Sequence, residues 1–373
     1  MVIHHFLKWI ETAKVSERAA AANALARAYA WSELSFEDRC AAEASLTLLL
    51  DDPSPKVRLA MAEPLSLCHH APLQVLYALA SDQPEVAGVV LVRSPLFSDA
   101  DLIDRVAGCN VAVQQFIAMR PQVSMPVSAA IAEVGEADAC RDLLSNIGAD
   151  IASLSLRRMA ERFGHLADLR ELMLRDPRTP ADAHHMLMVK LGEALKECDF
   201  VRALIGPQRA EKVTREACAS ASVALIEATP QAEHAALVEH LRLGGDLTGS
   251  FLVRLVAHGK IDFFGAALVA LSGQKENRVR ALLAGGRDGA LVALLRSAGI
   301  AAALHCVILR AIGLWRDVAR GRRVAGAQEV CWLMMGEAET VGDGGKLASL
   351  LRSIHLQTLR ENARLHATAI AAA

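Results

Sequence analysis

At 373 residues the chain exceeds what one ordinary compact core organises, so two or more domains or one elongated array are expected. Hydrophobic residues reach 53% but aromatics only 4%, which points to cores of small and medium side chains on helices rather than β-branched and aromatic strands. Forty basic residues against 42 acidic ones leave a net charge of -2, which excludes a global field for gathering nucleic acid or anionic lipid; any charged binding surface has to be local.

Met1 to Lys14 do not read as a signal peptide, because His4, His5 and Lys8 interrupt the apolar run; Ile3, Phe6, Leu7 and Ile10 form a one-sided helical stripe instead. Ser16 to Ala30 and Phe36 to Leu50 read as amphipathic helices. The second opens on a capping box of Ser35 and Asp38, with Leu34 as the staple residue before it. Then comes Asp51-Asp52-Pro53, followed by Val57-Arg58 and by Ala62 four residues after Arg58. Asp and Pro start the helix, Val57 and the small residues face a core, and the stem of Arg58 covers apolar surface while its head stays wet. This pattern resembles the second-helix signature of HEAT and leucine-rich-variant repeats.

From here a period can be counted. Hydroxyl-marked helix starts fall at Ser98, Ser124, Ser153 and Thr179, intervals of 26, 29 and 26; glycine-marked ends fall at Gly108, Gly135, Gly164 and Gly192, intervals of 27, 29 and 28. Two signals keeping one interval imply a repeated unit of about 27 residues. Shorter second helices lie between, at Glu85 to Val92, Val111 to Met119, Ala137 to Ser145 and Ala167 to Leu174, and Pro72 to Asp82 reads as an earlier copy. Neither helix of so small a unit buries its apolar face alone, so the expected fold is all-α, an α-solenoid of short HEAT-like helical pairs.

Beyond Glu193 the rhythm breaks. Gln208 to Thr229 reads as one long helix, and apolar helices follow at Thr248 to Gly259, Ile261 to Leu271, Asn277 to Leu283, Gly289 to Ser297 and Ala301 to Val318. Gly321 to Gly326 and Gly342 to Gly345 read as loops, and Lys346 to His366 as a last helix. The domain expectation is a repeat array over 1–195, a linking long helix over 196–230 and a C-terminal helical domain over 231–373. Period-two alternation is absent, so almost no β-structure is expected. The most membrane-like stretch, Gly299 to Trp315, contains His305 and Arg310 and falls short of the roughly 18 to 20 apolar residues of a span.

The chain as a whole resembles a bacterial family known as domain of unknown function 2336. The resemblance rests on the Asp52 to Ala62 signature, the repeats from Pro95 to Gly192 and the block Leu247 to Ile300. That block includes Ile261-Asp262-Phe263-Phe264, Ala266-Ala267-Leu268, Val279 to Leu283 and Leu291 to Gly299. It implies a helical-repeat fold and supplies no reaction, ligand, cofactor or site residue.

Motifs that carry chemistry are hard to find. Gly344-Gly345-Lys346-Leu347 lacks the first glycine and the hydroxyl of a phosphate-binding loop. His69-His70, His184-His185 and the pair His234 and His240 lack the i, i+4 spacing with which a helix chelates zinc. Eight cysteines, at 40, 68, 109, 140, 198, 218, 306 and 331, include no C-x-x-C pair and fit buried free thiols in a reducing compartment. No catalytic residue, metal ligand or cofactor is therefore assigned.

Two basic features stand out. Arg93, Arg120 and Arg175 recur just before Pro95, Pro121 and Pro177, where they would form a basic ladder for an acidic partner or else cap helix C-termini. The ladder skips the unit in which Asn146 and Ile147 stand. Arg316, Arg320, Arg322 and Arg323 lie beside Trp315, with Arg310 upstream, a combination suited to nucleic-acid backbones and stacking. The principal expectation is a non-enzymatic, cytoplasmic protein-interaction scaffold with an unknown protein partner. The alternative is a nucleic-acid-binding HEAT-like protein, conceivably a repair enzyme, which the slightly acidic total charge disfavours. Homodimerisation through the first helix or the apolar C-terminal half is a further reading.

Overall fold

The computed structural model describes Trp9, residues 12–340 and residues 344–371. The stripe of Ile3, Phe6, Leu7 and Ile10 lies outside them, as does Gly342. Among the described residues the protein is all-helical, with 22 α-helices and one isolated parallel bridge between Val123 and Ala149. It divides into two compact units, one ending at Pro180 and the other beginning at Ala181.

The first unit contains α1 (Val15–Trp31), α2 (Phe36–Leu49), α3 (Pro55–Leu65), α4 (Leu73–Leu79), α5 (Pro84–Arg93) and α6 (Asp99–Gly108). It continues through α7 (Val111–Ala118), α8 (Met125–Val134), α9 (Ala137–Ser145), α10 (Ser153–Phe163) and α11 (Ala167–Arg175). One row of contacts runs α1, α3, α5, α7, α9, α11, each helix packing on the next in the row, and a second runs α6, α8, α10. Both rows bury aliphatic side chains, among them Met61, Leu91, Ile117, Ile131 and Leu143.

The local signals act largely as their chemistry demands. Ser35 accepts from the Asp38 amide at 3.1 Å, and the Ser98 hydroxyl and Asp101 complete a capping box at α6. Ser124 caps α8 by backbone position alone, since its hydroxyl donates to Asp99 Oδ2 at 2.8 Å. Three expectations are overturned. Thr179 does not start a helix: its hydroxyl donates to the Met173 carbonyl at 2.7 Å, and the next helix begins at Ala181. Gly192 does not end one either, because it lies buried inside that helix, where a Cβ would stand 2.6 Å from Cys218 Sγ. Close packing, not chain reversal, accounts for a glycine there. Nor does Arg58 keep its head wet. Its Nε and Nη2 donate to the Asp82 carboxylate at 2.5 and 2.8 Å, and its Nη1 reaches the Asp52 carbonyl.

The second unit starts with α12 (Ala181–Glu197), α13 (Asp199–Ile205) and α14 (Pro207–Ala228), the long helix, which packs on α12. The stretch expected to link two halves thus belongs to this unit. Then follow α15 (His234–Gly244), α16 (Gly249–Ala257), α17 (Ile261–Ser272), α18 (Glu276–Gly285), α19 (Asp288–Ser297), α20 (His305–Ala319), α21 (Ala327–Thr340) and α22 (Gly344–Ala371). A continuous core centred on α16, α17 and α20 includes Phe263, Phe264, Leu268, Val256 and Ile312. Among the described residues no helix is long and apolar enough to cross a membrane.

All eight cysteines are free. Cys68, Cys140 and Cys331 are buried as expected, whereas Cys40, Cys109 and Cys198 are exposed. Burial pushes the Cys140 thiol up to about 12 and that of Cys331 up to about 11, which suppresses thiolate chemistry at both.

Candidate functional site

The three arginines of the expected ladder do different things. Arg93, the last residue of α5, is exposed. Arg175, the last of α11, is exposed and pairs with Glu171 one turn back at 2.6 Å. Arg120 lies just past α7 and donates from Nη1 to the Leu91 carbonyl and from Nη2 to that of Ser94, at 2.8 Å for the latter. It therefore closes the C-terminal end of α5, two helices back in the chain. Burial pushes its guanidinium below the ordinary arginine value, and Asp99 pulls the other way.

This role explains the gap at Asn146. Its side-chain amide donates to the carbonyls of Ala118 and Arg120 at 2.8 and 2.7 Å, closing α7 as Arg120 closes α5. Arg178 continues the series, reaching the carbonyls of Leu144 and Ala149 at 3.2 and 3.1 Å at the end of α9. In the other row Arg162 donates to the Ala132 carbonyl at 2.8 Å, near the end of α8. Helix-end carbonyls left without an intrahelical partner are thus satisfied by side chains from later in the chain. The position is filled by whichever donor reaches, so a search for arginine alone missed Asn146 and Arg178.

The Trp315 cluster is also drawn inward. The Trp315 indole N–H donates to the Val256 carbonyl at 2.6 Å. Its ring lies against Gly259, which has φ +73°, and a Cβ at that glycine would stand 2.9 Å from the indole. Arg316 donates to the carbonyls of Leu283 and Leu282 at 2.7 and 2.5 Å, and Arg320 to that of Ala284 at 3.3 Å; together they close α18. Arg323 pairs with Glu329 at 2.5 Å, and Arg322 is exposed. Trp315 is half-buried, with its indole N–H already committed to a backbone carbonyl.

Trp315, Arg316 and Arg320 do meet at a site, though a different one from that expected. They line one end of a cleft of about 810 Å³ bounded by α15, α17, α18 and α20. Its floor has many small residues, Ala235, Gly265, Ala266, Ala270, Ala284 and Ala319, with Val269 and Ile312 between them. Gly265 packs closely on its neighbour: a Cβ there would stand 3.1 Å from Leu283 Cδ1. Near the mouth Glu276 and Arg280 pair at 2.9 Å and cancel in charge. Asp262 sits in the first turn of α17, where the helix dipole favours a carboxylate.

The histidines regroup as well. His185 and His240, far apart in sequence, approach to 3.3 Å between Nδ1 and Nε2. Burial and the neighbouring His240 push His185 down to about 4. Among the described residues no group of three or more His, Cys, Asp or Glu comes together as a metal-ligand set. His234 is held apart from this pair; its Nε2 meets the Thr229 carbonyl at 3.2 Å and its ring packs edge-on to Phe263.

Short packed helices define the class: among the described residues this is an all-α protein, with an open, largely apolar cleft in its second unit. The chain belongs to the bacterial family described as an uncharacterised protein conserved in bacteria, DUF2336, whose model matches residues 86–341. The matched stretch begins within α5 and includes the whole cleft. No curated protein and no solved structure matches the chain.

Proposed function

We propose that the protein is a non-enzymatic, cytoplasmic interaction scaffold that holds a helical segment of a partner protein in the cleft of its second unit. The observation that carries this reading is the small-residue floor. Alanines lining an open groove let another backbone approach closely, while the half-buried Val269 adds apolar contact. A cavity evolved around a small substrate more often closes over it and converges several polar groups on one point.

The first unit we read as a short α-solenoid of about 27 residues per repeat. Support comes from bonds linking residues 22 to 30 positions apart. Examples are Gln115 to Asp142 at 2.9 Å, Arg141 to Asp168 at 2.5 Å, Arg158 to Glu133 at 2.8 Å and Glu136 to Gln114 at 2.9 Å. Such links are what stacked copies of one unit produce. The nucleic-acid alternative draws less support, because Trp315 and Arg316 are committed to backbone carbonyls.

Affinity capture from the native host tests the reading, with the wild-type chain compared with Ala266→Trp, which fills the groove. We expect a reproducible partner to be held by the wild type and lost from the variant while circular dichroism is unchanged. Equal recovery by both would exclude the cleft as the binding surface.

A further inference from the structure

We propose that the cleft selects an amphipathic helix carrying an acidic residue, whose carboxylate seats between Arg316 and Arg320 while its apolar face lies on the small-residue floor. This rests on the helix-binding reading above and adds the partner's chemistry to it. Arg316 and Arg320 are four residues apart on α20 and its C-terminal cap and therefore neighbours on one helix face. Both line the cleft. Among the described residues neither forms an ion pair, although most other guanidiniums near a carboxylate in this chain do.

Their donors are not exhausted. A guanidinium has five N–H groups. Arg316 spends Nε and Nη2 on the end of α18, leaving Nη1, and Arg320 spends one group on Ala284 at 3.3 Å, leaving Nε and Nη1. The bonds to α18 fix both side chains in place without neutralising them. Burial is what most disfavours the charge on Arg316; Asp288 offsets part of it, and the like charge of Arg320 adds a smaller cost. A carboxylate arriving from outside makes charge-assisted bonds to the remaining N–H groups and compensates the burial of Arg316. Elsewhere in the lining Glu276 and Arg280 are already paired, while Asp262, in the first turn of α17, is a carboxylate that works against an acidic partner, so the preference has to come from the arginine pair.

An acidic helix fits these features better than a nucleic-acid strand. A phosphate backbone would satisfy the arginines, but its sugars and bases would cover an alanine floor with Trp315 held by Val256. A helix with alanine or leucine at i, i+3, i+4 and i+7 covers the same floor with matching shape and brings one glutamate to its end.

Three fluorescein-labelled 16-residue helical peptides test this, identical in their Ala/Leu stripe and carrying Glu, Gln or Lys at the position meant for the arginine end. Anisotropy titrations use the full chain, Arg320→Glu, Ala266→Trp and Arg296→Glu, the last an exposed site outside the cleft lining. The Glu peptide is expected to bind wild type at least tenfold tighter than the Lys peptide at low salt, with the gap narrowing as salt rises. Arg320→Glu should reverse that order, Arg296→Glu should preserve it, and Ala266→Trp should abolish binding of all three.

Equal binding of Glu and Lys peptides to wild type would overturn the acidic selectivity while leaving the helix-binding cleft standing. The selectivity also falls if Arg296→Glu acts like Arg320→Glu, since net charge and not the cleft would then be responsible. Failure of every peptide to bind, or binding that Ala266→Trp leaves intact, sinks the cleft reading together with the proposal. Displacement of the Glu peptide by a thymidine 16-mer at lower concentration than by unlabelled peptide would assign the arginines to nucleic acid instead.

Discussion

The two units solve the same packing problem by different means. In the first, short helices are joined by side chains that reach back to the end of an earlier helix, as Arg120, Asn146 and Arg178 do, and these bonds stay close in sequence. In the second, several contacts cross longer stretches: Trp315 to Val256, His185 to His240 and Arg254 to Gln357. The described glycines with left-handed backbone also all fall there, between Gly206 and Gly321. Irregular helix lengths and sharp turns leave holes in packing, and the cleft of about 810 Å³ lies in the unit that has both.

The sharpest break of that contrast is a core truncation. Phe264 is fully buried in the second unit, so Phe264→Ala should cost about 3–5 kcal/mol. Hydrogen exchange should quicken from residue 181 onward and leave the first unit's amides protected. Equal loss in both units would mean that the division is not one of stability.

Acid should separate them next. His185 is held neutral, with its value pushed down to about 4 by burial and by His240, against about 6.5 in an unfolded chain. Between those values the unfolded state binds the proton and the folded state does not, so stability is whole above pH 6.5 and falls as pH drops toward 4. The loss is on the order of 3 kcal/mol. His184 and His258, also pushed down by burial, act in the same direction, while the raised Asp246 carboxyl opposes them. In the first unit Asp82 is pushed down by its bond to Arg58, and Asp52 by Arg18 in spite of burial, so their contribution persists until more acid pH. Chemical denaturation between pH 7 and 4.5 should weaken the second unit first, and His185→Leu should flatten the slope.

Smaller effects sharpen the repeat side. Arg120→Ala leaves two carbonyls at the end of α5 without their donor and should cost about 1–3 kcal/mol. Asn146→Ala should act similarly at α7. Arg175→Ala, at an exposed pair, should stay within about 0.5 kcal/mol by thermal melting. If Arg175→Ala destabilises as much as Arg120→Ala, the two arginines share a role after all.

Helices were largely legible because their signals are local. Pro, Ser and apolar spacing placed α9 at Ala137–Ser145, as the structure has it, and the long α14 within a residue at each end. Gly192 misled because a glycine demanded by a neighbour's sulfur looks the same in sequence as one that ends a helix. The site was less legible. Trp315, Arg316 and Arg320 could be noticed as a cluster, but the alanines they border carry no signal until four separate helices converge. His185 and His240 were each visible; their meeting was not.

The carbonyl seals of the first unit also impose an order in time. Arg120 closes a helix ending at Arg93, Asn146 closes one ending at Ala118 and Arg178 reaches one ending at Ser145. In every case the seal comes later in the chain than the end it covers. During synthesis α5, α7 and α9 therefore leave the ribosome with these carbonyls open, and each is sealed only after a donor 26 to 34 residues further along has emerged. Of these three, the newest to emerge is always the open one.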